Sequence, residues 1–400
     1  MKIAVLGYGT VGSGVVEVLN LNKENITRRA GKEIEVKYVL DLRDFPGDPV
    51  QNVLVHDFQV ILNDPEVEIV AEVMGGVKPA YEYVKACLEN GKSVCTSNKE
   101  LVAKHGAELL EIAKQKKVNF LFEASVGGGI PIIRPLNQSL TADEIMEITG
   151  ILNGTTNYIL SQMHDYGYDF DTVLKEAQRL GYAERNPEAD VEGYDACRKL
   201  AILTSLAYGK QVDFEDIYTE GITKISTEDM KYADAMDASI KLLGIGRREN
   251  DKFFAMVAPR IIGKKHPLYS VNNVFNGILV KGNMLGDVMF YGSGAGKLPT
   301  ASAVVADIVD AAKHVGTNIM TLWSSKKLAL STTAEAENVF LVRVPAEEKA
   351  AALAAFGEGK EVKAEGVTGE FAFLTQKMTE AAFEEASKKV TVKNRIRVEI

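Results

Sequence analysis

The sequence predicts an α/β protein with three domains: a parallel-sheet domain, then a mixed-sheet α+β domain, and last a small ferredoxin-like domain. Three observations lead to this prediction. Strand and helix patterns alternate over residues 1–130, which is typical of a parallel sheet covered by helices on both faces. After residue 130 this alternation stops, and the middle of the chain combines helices with strands of a mixed sheet. Residues 337–400 follow the order strand, helix, strand, strand, helix, strand.

The first domain begins with the most informative motif. An apolar strand at residues 2–6 leads into a G-x-G-x-x-G sequence made by Gly7, Gly9 and Gly12, and an amphipathic run follows at once. Glycines in this context let the backbone approach a pyrophosphate at a helix N-terminus, as in Rossmann-type domains. The motif therefore indicates a dinucleotide site, and the alternative is a tight strand–helix turn without a ligand.

The remaining elements follow from periodicity and from turn residues. Strands are expected at 33–40, 68–73, 93–96, 118–124, 144–152, 253–262, 271–280 and 287–291. Helices are expected at 79–90, 100–117, 157–164, 171–180, 190–207, 236–243 and 300–315. The domain boundaries are then 1–130 with a returning helix at about 300–325, 131–300, and 337–400 after a polar linker at 325–337.

Composition excludes several classes of protein. The net charge of −9 argues against nucleic acid as a partner, because such proteins carry a basic footprint. No apolar run is long enough for a membrane span. Three scattered cysteines fit a reduced, cytoplasmic setting, and five scattered histidines give no zinc spacing.

Ligands of open parallel sheets bind beyond the carboxyl ends of the strands, so the residues there are candidates for a binding site. Asp41 follows the second strand and would accept bonds from ribose hydroxyls, whereas Arg43 would favour a 2′-phosphate. Either NAD or NADP is therefore possible as the cofactor. The alternative interpretation is that these charged residues form a solvated loop without a ligand. Gly75 and Gly76 leave room for a nicotinamide ring, and Lys99 begins the segment after the next strand.

Three further segments carry candidate chemistry. Glu123 precedes three consecutive glycines, so its carboxylate and nearby carbonyls could ligate a hard cation, unless the segment is only a hinge. The N-G-T-T-N motif at 153–157 would supply an N-cap at Thr156 or Asn157, or would hold a substrate carboxylate. Residues 184–199 bring acids before a helix that contains Asp195 and, four residues later, Lys199.

The Asp195–Lys199 spacing has two interpretations. One is a surface ion pair, which contributes little to stability. The other is a substrate-binding acid beside a lysine that acts as general acid/base, with Lys99 converging on the same cleft.

Several ordered blocks together resemble the homoserine dehydrogenase family over residues 1–320. They are G-Y-G-T-V-G, T-S-N-K, E-A-S-V-G-G-G-I-P-I, N-G-T-T-N-Y-I-L, the A-E-R-N-P-E-A-D-V stretch and Y-G-S-G-A-G-K-L-P-T-A-S-A-V. The resemblance implies NAD(P)-dependent interconversion of L-homoserine and L-aspartate 4-semialdehyde, in threonine, methionine and isoleucine biosynthesis.

The resemblance also implies residue roles. Lys199 would exchange the proton with the substrate hydroxyl, and Lys99 would lie close by as a second participant. The substrate would be bound by Glu184, Asp190, Asp195 and Thr155. A sodium site would comprise Glu123, Val126, Gly128 and Ile130. Cofactor contacts would come from Gly7, Gly9, Thr10, Val11, Gly12, Asp41, Gly75, Lys99, Gly294 and Gly296.

Some properties stay open. The C-terminal domain resembles a short ACT domain. It could bind threonine as a regulator, or it could have only a structural or dimerising role. The family resemblance implies a homodimer or homotetramer. One alternative function is an aldehyde dehydrogenase that uses a cysteine nucleophile. Another is a regulatory protein that senses a nucleotide and an amino acid without catalysis.

Overall fold

The computed structural model describes residues 1–249 and 251–400, which form two compact units. Unit 1 consists of Met1–Asp143, Ala201–Asp213 and Gly292–Leu328, and unit 2 consists of Glu144–Leu200, Phe214–Tyr291 and Ala329–Ile400. Within the described ranges, no helix has both the length and the apolar character needed to cross a membrane.

The N-terminal part of unit 1 alternates strands and helices, as the sequence predicts. Its elements are β1 (Lys2–Leu6), α1 (Thr10–Leu21), α2 (Lys23–Ala30), β2 (Glu35–Leu40), β3 (Leu54–Val55), α3 (Phe58–Leu62), β4 (Val67–Glu72), α4 (Ala80–Glu89), β5 (Ser93–Thr96), α5 (Lys99–Lys116) and β6 (Phe120–Leu121). The last strand is shorter than expected, because Glu123–Ser125 turn into a 3₁₀ helix.

These strands form one parallel sheet in the order β3-β2-β1-β4-β5-β6. The chain order reverses between β1 and β4, and ligands of doubly wound sheets bind at such a switch point. Ile3, Val5 and Ala71 of the central strands are fully buried, as expected for a sheet covered on both faces. The predicted Rossmann-type domain is therefore confirmed.

The middle of the chain forms a second set of elements. They are β7 (Ile145–Ile151), α6 (Gly154–Tyr166), α7 (Phe170–Arg179), α8 (Glu188–Val191), α9 (Tyr194–Tyr208), β8 (Lys210–Gln211), β9 (Tyr218–Thr219), α10 (Thr227–Ala235), β10 (Ala238–Glu249), β11 (Lys252–Gly263), β12 (Phe275–Gly282) and β13 (Gly286–Ser293). The helix expected at 190–207 is split, and Gly193 between the two pieces has a φ of 83°.

The helix predicted at 236–243 is wrong, since this segment belongs to strand β10. Residues 238–246 are all buried, and β10 pairs with β7 on one side and β11 on the other. A strand buried on both faces has a continuous apolar run, which periodicity alone does not distinguish from a buried helix. Gly244 and Gly246 within the run disfavour the helix.

The C-terminal part of the chain contributes to both units. Its elements are α11 (Lys297–Lys313), β14 (Ser324–Lys327), β15 (Glu337–Pro345), α12 (Lys349–Phe356), β16 (Lys360–Val362), β17 (Glu370–Leu374), β18 (Met378–Thr379), α13 (Glu380–Ser387) and β19 (Asn394–Glu399). Helix α11 packs on α1 within unit 1, where a Cβ on Gly14 would lie 2.9 Å from the Cβ of Ala301. Small residues thus allow the two helices to approach closely.

The large sheet of unit 2 runs in the order β13-β12-β7-β10-β11-β19-β15-β17-β16. Strand β19 joins the C-terminal strands to the middle of the chain by pairing in parallel with β11, with Arg260 opposite Arg397. The sequence predicted the element order of residues 337–400 but not this continuous sheet, because strand pairing between distant segments has no local signal. Strand β14 lies within the segment expected to be a linker and pairs with β8.

Buried ion pairs reinforce this junction. The Arg397 guanidinium is 1% exposed and donates to both oxygens of Glu380, at 2.7 and 2.9 Å, and to Glu220, at 2.9 Å. Glu380 begins α13 in the C-terminal segment, whereas Glu220 follows β9. The arginine therefore links the two segments through charge-assisted hydrogen bonds.

We expect Glu380→Gln to lower the free energy of unfolding by about 3–5 kcal/mol, because it leaves the buried Arg397 charge undercompensated. Urea denaturation measures the change. Glu385→Gln is the matched control, since the Glu385–Lys388 pair is exposed and surface ion pairs contribute little to stability. Equal losses in the two variants would contradict the structural role of the buried pair.

Candidate functional site

The glycine loop of unit 1 has the backbone that a dinucleotide motif needs. Gly7 has a φ of 96° and donates its N–H to the carbonyl of Leu40 at 2.7 Å. A Cβ on Gly12 would lie only 1.9 Å from the Gly7 carbonyl oxygen, so a side chain there is excluded. A Cβ on Gly9 would meet nothing within 4 Å. Helix α1 then begins at Thr10 and continues through Val11.

The Asp41 carboxylate is tied to this loop. It accepts a hydrogen bond from the Tyr8 N–H at 2.8 Å and two from the Arg43 guanidinium, at 2.9 and 3.0 Å. Hydrogen bonding from Arg43 holds the pKa of Asp41 well below its usual range, so the group is ionised at neutral pH. The candidate ribose acid and the candidate phosphate-binding arginine therefore neutralise each other.

A buried carboxylate organises the next strand ends. Glu72 is fully buried and accepts from the Thr96 hydroxyl at 2.6 Å and from the Met74 N–H at 2.8 Å. Asn98 donates to the Gly76 carbonyl at 2.6 Å and caps α5 by accepting from the Leu101 N–H. These contacts fix the loop after β4 to the start of α5.

The same contacts determine the position of two predicted site residues. Gly75 has a φ of 81°, which the left-handed turn after β4 requires, and Lys99 is the first residue of α5. Burial raises the pKa of Glu72. Sequence reasoning missed Glu72 and Asn98, although an asparagine immediately before a helical run is a recognised N-cap signal.

The Glu123 carboxylate, which was predicted to bind a cation, accepts hydrogen bonds from the main chain. Its oxygens accept hydrogen bonds from the N–H groups of Ile132, Ile133 and Arg134, at 2.6, 2.8 and 2.8 Å. Both oxygens of this carboxylate therefore hold the chain's own backbone, and its role toward a cation stays a prediction. The described residues contain no cluster of three or more His, Cys, Asp or Glu side chains able to hold a metal.

The glycine-rich loop after Glu123 meets the segment before α11 within unit 1. A Cβ on Gly128 would lie 2.6 Å from the backbone of Gly294, and the Gly129 N–H donates to the Ser293 carbonyl at 3.1 Å. Gly296, with a φ of 123°, immediately precedes α11. The residues expected near sodium, including Val126 and Ile130, thus share a loop that contacts a predicted cofactor segment.

In unit 2, one amide joins the candidate acids. The Asn153 Nδ2 donates to Asp190 at 2.7 Å and to Asp195 at 2.9 Å. The Oδ1 atom of the same side chain accepts from the Thr156 N–H at 2.8 Å and so caps α6. The predicted caps, Thr156 and Asn157, are wrong by three or four residues.

Lys199 completes this cluster. Its Nζ donates to Asp195 at 2.7 Å and to the Leu152 carbonyl at 2.8 Å. The side chains of Lys199 and Asp195 are 11% and 5% exposed, so the interpretation as a surface ion pair is excluded. The cluster lies where β7 ends and α6 begins.

The other two predicted substrate residues lie outside this hydrogen-bond cluster. The Thr155 hydroxyl donates to the Tyr182 carbonyl at 2.6 Å. Glu184 is exposed, and its main-chain oxygen accepts from the Gln178 amide at 3.0 Å.

A neighbouring loop is held by two buried side chains: Asn157, which was predicted as a helix cap, and Lys241, which sequence reasoning missed. The Asn157 amide donates to the carbonyls of Val271, Asn273 and Phe275. The Lys241 Nζ also donates to the Val271 carbonyl, at 2.8 Å, and burial lowers the pKa of Lys241 to about 8. This loop leads directly into β12.

The cysteines do not suit nucleophilic chemistry. Burial raises the pKa of both the Cys95 and the Cys197 thiols, which suppresses the thiolate that a nucleophile requires. The alternative of an aldehyde dehydrogenase with a catalytic cysteine therefore has no structural basis.

Two family models match consecutive parts of the chain. Residues 7–123 match the family model "Homoserine dehydrogenase, NAD binding domain", and residues 131–309 match the model "Homoserine dehydrogenase". The chain belongs to the homoserine dehydrogenase family.

Curated relatives support the assignment. A homoserine dehydrogenase of Synechocystis sp. is 49% identical over 318 residues, which are 78% of this chain and 73% of the relative. One from Bacillus subtilis is 41% identical over 319 residues, which are 79% of this chain and 73% of the relative.

Solved structures of homoserine dehydrogenases extend the similarity. One from Thiobacillus denitrificans has a TM-score of 0.88 at 38% identity and covers 100% of this chain and 98% of its own. A hyperthermophilic archaeal enzyme in complex with NADPH has a TM-score of 0.67 at 29% identity, over 78% and 97% of the two chains.

Proposed function

We propose that this chain interconverts L-homoserine and L-aspartate 4-semialdehyde with NAD or NADP, as the homoserine dehydrogenase of threonine, methionine and isoleucine biosynthesis. The main support is the cluster in unit 2 in which Lys199 is held by the Asp195 carboxylate and the Leu152 carbonyl. A lysine with this fixed geometry can exchange a proton with a substrate oxygen.

Substrate binding follows from the charges around the lysine. The α-ammonium and hydroxyl of homoserine need acceptors, which Asp190 and Asp195 supply, with Glu184 as a third acid. The α-carboxylate needs donors, and the start of α6 near Thr155 offers N–H groups at the positive end of a helix dipole.

Lys199 performs the proton step in this proposal. When the aldehyde is reduced, the Lys199 ammonium donates a proton to the carbonyl oxygen as the carbon receives a hydride. In the reverse direction the neutral amine accepts the hydroxyl proton. A bound nicotinamide supplies or accepts the hydride. Lys99, carried by unit 1, is proposed as the second participant.

The chain's own residues fit a dinucleotide. The pyrophosphate would be faced by the loop and helix start made of Gly7, Gly9, Thr10, Val11 and Gly12. Gly75 would border the nicotinamide. Gly294 and Gly296 would add main-chain contacts. The archaeal relative solved with NADPH supports NADP as one acceptable cofactor. Arg43 is the group in this chain that would favour the 2′-phosphate.

A sodium ion is proposed at the loop containing Glu123, Val126, Gly128 and Ile130, held through main-chain oxygens. Its role would be to fix the contact between this loop and the segment around Gly294. The left-handed conformation of Gly128 supports a loop whose carbonyls turn to one side.

We also propose that residues 337–400 form an ACT-like unit, supported by the strand order β19-β15-β17-β16 with α12 and α13. This unit either binds an effector, with threonine as the candidate, or provides structural support. We place the protein in the cytoplasm, because Cys87, Cys95 and Cys197 are free thiols.

Replacing Lys199 should abolish turnover without unfolding the protein. Lys199→Arg keeps a cation beside Asp195 but cannot give up its proton, so we expect kcat to fall by at least about 100-fold. Homoserine oxidation followed at the absorbance of the reduced nicotinamide measures kcat. Lys175→Met, an exposed position in unit 2, is the control and should keep kcat. An arginine variant with more than a tenth of normal kcat would remove Lys199 from the proton step.

Asp41 should set the choice between the two cofactors. Asp41→Ala releases Arg43 and removes a charge that repels a 2′-phosphate, so relative use of NADP should rise about tenfold, equivalent to about 1.4 kcal/mol. The ratio of kcat/KM for NADP and NAD measures this. Arg43→Ala should lower the ratio, and Arg28→Ala, at an exposed position of helix α2, should leave it unchanged. A constant ratio in all three variants would refute this account.

We propose a homodimer or a homotetramer, assembled through the free edge of the unit 2 sheet. Strand β13 ends the sheet and exposes Met289 and Tyr291, and Tyr291 stacks on Phe275. Light scattering should give at least twice the chain mass of 43.6 kDa. Met289→Lys should reduce the mass, whereas Met320→Lys, at an exposed position in unit 1, should not. A monomeric parent protein would rule out the assembly.

A further inference from the structure

Asn276 is a buried polar side chain whose hydrogen bonds are not made by the chain. It is 1% exposed, and neither its Oδ1 nor its Nδ2 has a hydrogen-bond partner among the described residues. Burying an unsatisfied amide costs free energy, so native proteins almost always satisfy such groups. A partner from outside the polypeptide would satisfy both atoms.

The strand register places Asn276 beside the lysine cluster. Gly277 pairs with Ile151 in β7, so the preceding residue, Asn276, lies opposite Leu152. The Leu152 carbonyl is the oxygen that accepts the Lys199 ammonium. Asn276 is therefore adjacent in the sheet to the main-chain group that positions the proposed general acid.

Alternation along β12 determines the face on which Asn276 lies. A Cβ on Gly277 would meet Leu268 and Val271, at 2.9 and 3.0 Å, so Asn276 points to the opposite face. A Cβ on Gly244 would lie 3.1 Å from Leu152 and 3.6 Å from Leu200 of helix α9, so Leu152 lies on the face that α9 covers. Since paired residues share a face, Asn276 lies on the same side as the helix that carries Asp195 and Lys199.

The start of α6 is within reach of this amide. The Oδ1 of Asn276 is 3.7 Å from the position that a Cβ on Gly154 would occupy, and Gly154 is the first residue of α6. Glycine leaves no side chain between the amide and the first turn. Helix α6 has 13 residues, so its N-terminus presents N–H groups and a positive dipole end at this point.

We propose that Asn276 is a substrate-positioning residue that binds the α-amino-acid end of the substrate. Its Nδ2 would donate to the α-carboxylate, and its Oδ1 would accept from the α-ammonium. A carboxamide offers one donor group and one acceptor on adjacent atoms, which matches the zwitterionic end of a free amino acid. This proposal rests on the proposed function and assigns it a residue that neither the motifs nor the family models single out.

Asn276→Leu, an apolar substitution of similar size, tests the proposal. The KM for homoserine should rise at least about tenfold with kcat changed less than about threefold, because a uniform binding interaction is lost. The melting temperature without substrate should stay the same or rise, because an unsatisfied buried group is removed. The upward shift in melting temperature that homoserine causes should disappear.

A substrate analogue sharpens the test. The analogue 3-amino-1-propanol lacks the carboxylate. Asn276→Leu should change its inhibition constant less than it changes the KM for homoserine. Asn90→Leu is the control, since that amide is exposed and donates to the Leu62 carbonyl. It should leave the KM for homoserine unchanged.

The outcomes separate this proposal from the function itself. Parent protein without homoserine oxidation would contradict the proposed function. An active parent enzyme with an unchanged KM in Asn276→Leu would overturn the role of Asn276. A lower melting temperature together with an unchanged KM would show that an ordered water satisfies the amide, and it would overturn the proposal equally.

Discussion

The cluster of acids and lysine in unit 2 depends on the hydrogen bonds of one side chain, Asn153. Two carboxylates near each other in a buried place repel, and the cost rises as water is excluded. The Asn153 amide donates to both Asp190 and Asp195, and Lys199 adds a positive charge to Asp195. The same amide caps α6 through its oxygen, so the helix start and the acid pair are set by one residue.

Two buried carboxylates of unit 1, Glu72 and Glu123, hold the backbone at the strand ends. Glu123 binds three consecutive N–H groups, and Glu72 binds the loop that leads to Gly75. A carboxylate that receives several N–H bonds is a strong anchor, because each bond is charge-assisted. In unit 1 these anchors define the strand ends where a dinucleotide would bind, whereas the proton chemistry is proposed for unit 2.

The sequence predicted the parts of the site that have local signals. The glycine spacing gave the loop before α1, and the four-residue spacing gave the Asp195–Lys199 pair. It failed where the signal is not local. The start of strand β10 was expected to be a helix, because a segment buried on both faces shows no alternation of apolar and polar residues. Asn276 escaped notice because an isolated asparagine in a strand carries no motif.

The sequence by itself determined the alternation of strands and helices in unit 1, the dinucleotide motif and the family, because each depends on residues close together in the chain. The tertiary structure decided that the C-terminal strands continue the sheet of unit 2, that Glu123 is an anchor, and that Asn153 joins the acids. Those contacts connect residues distant in the chain, and backbone pairing and burial select them only when the whole unit packs.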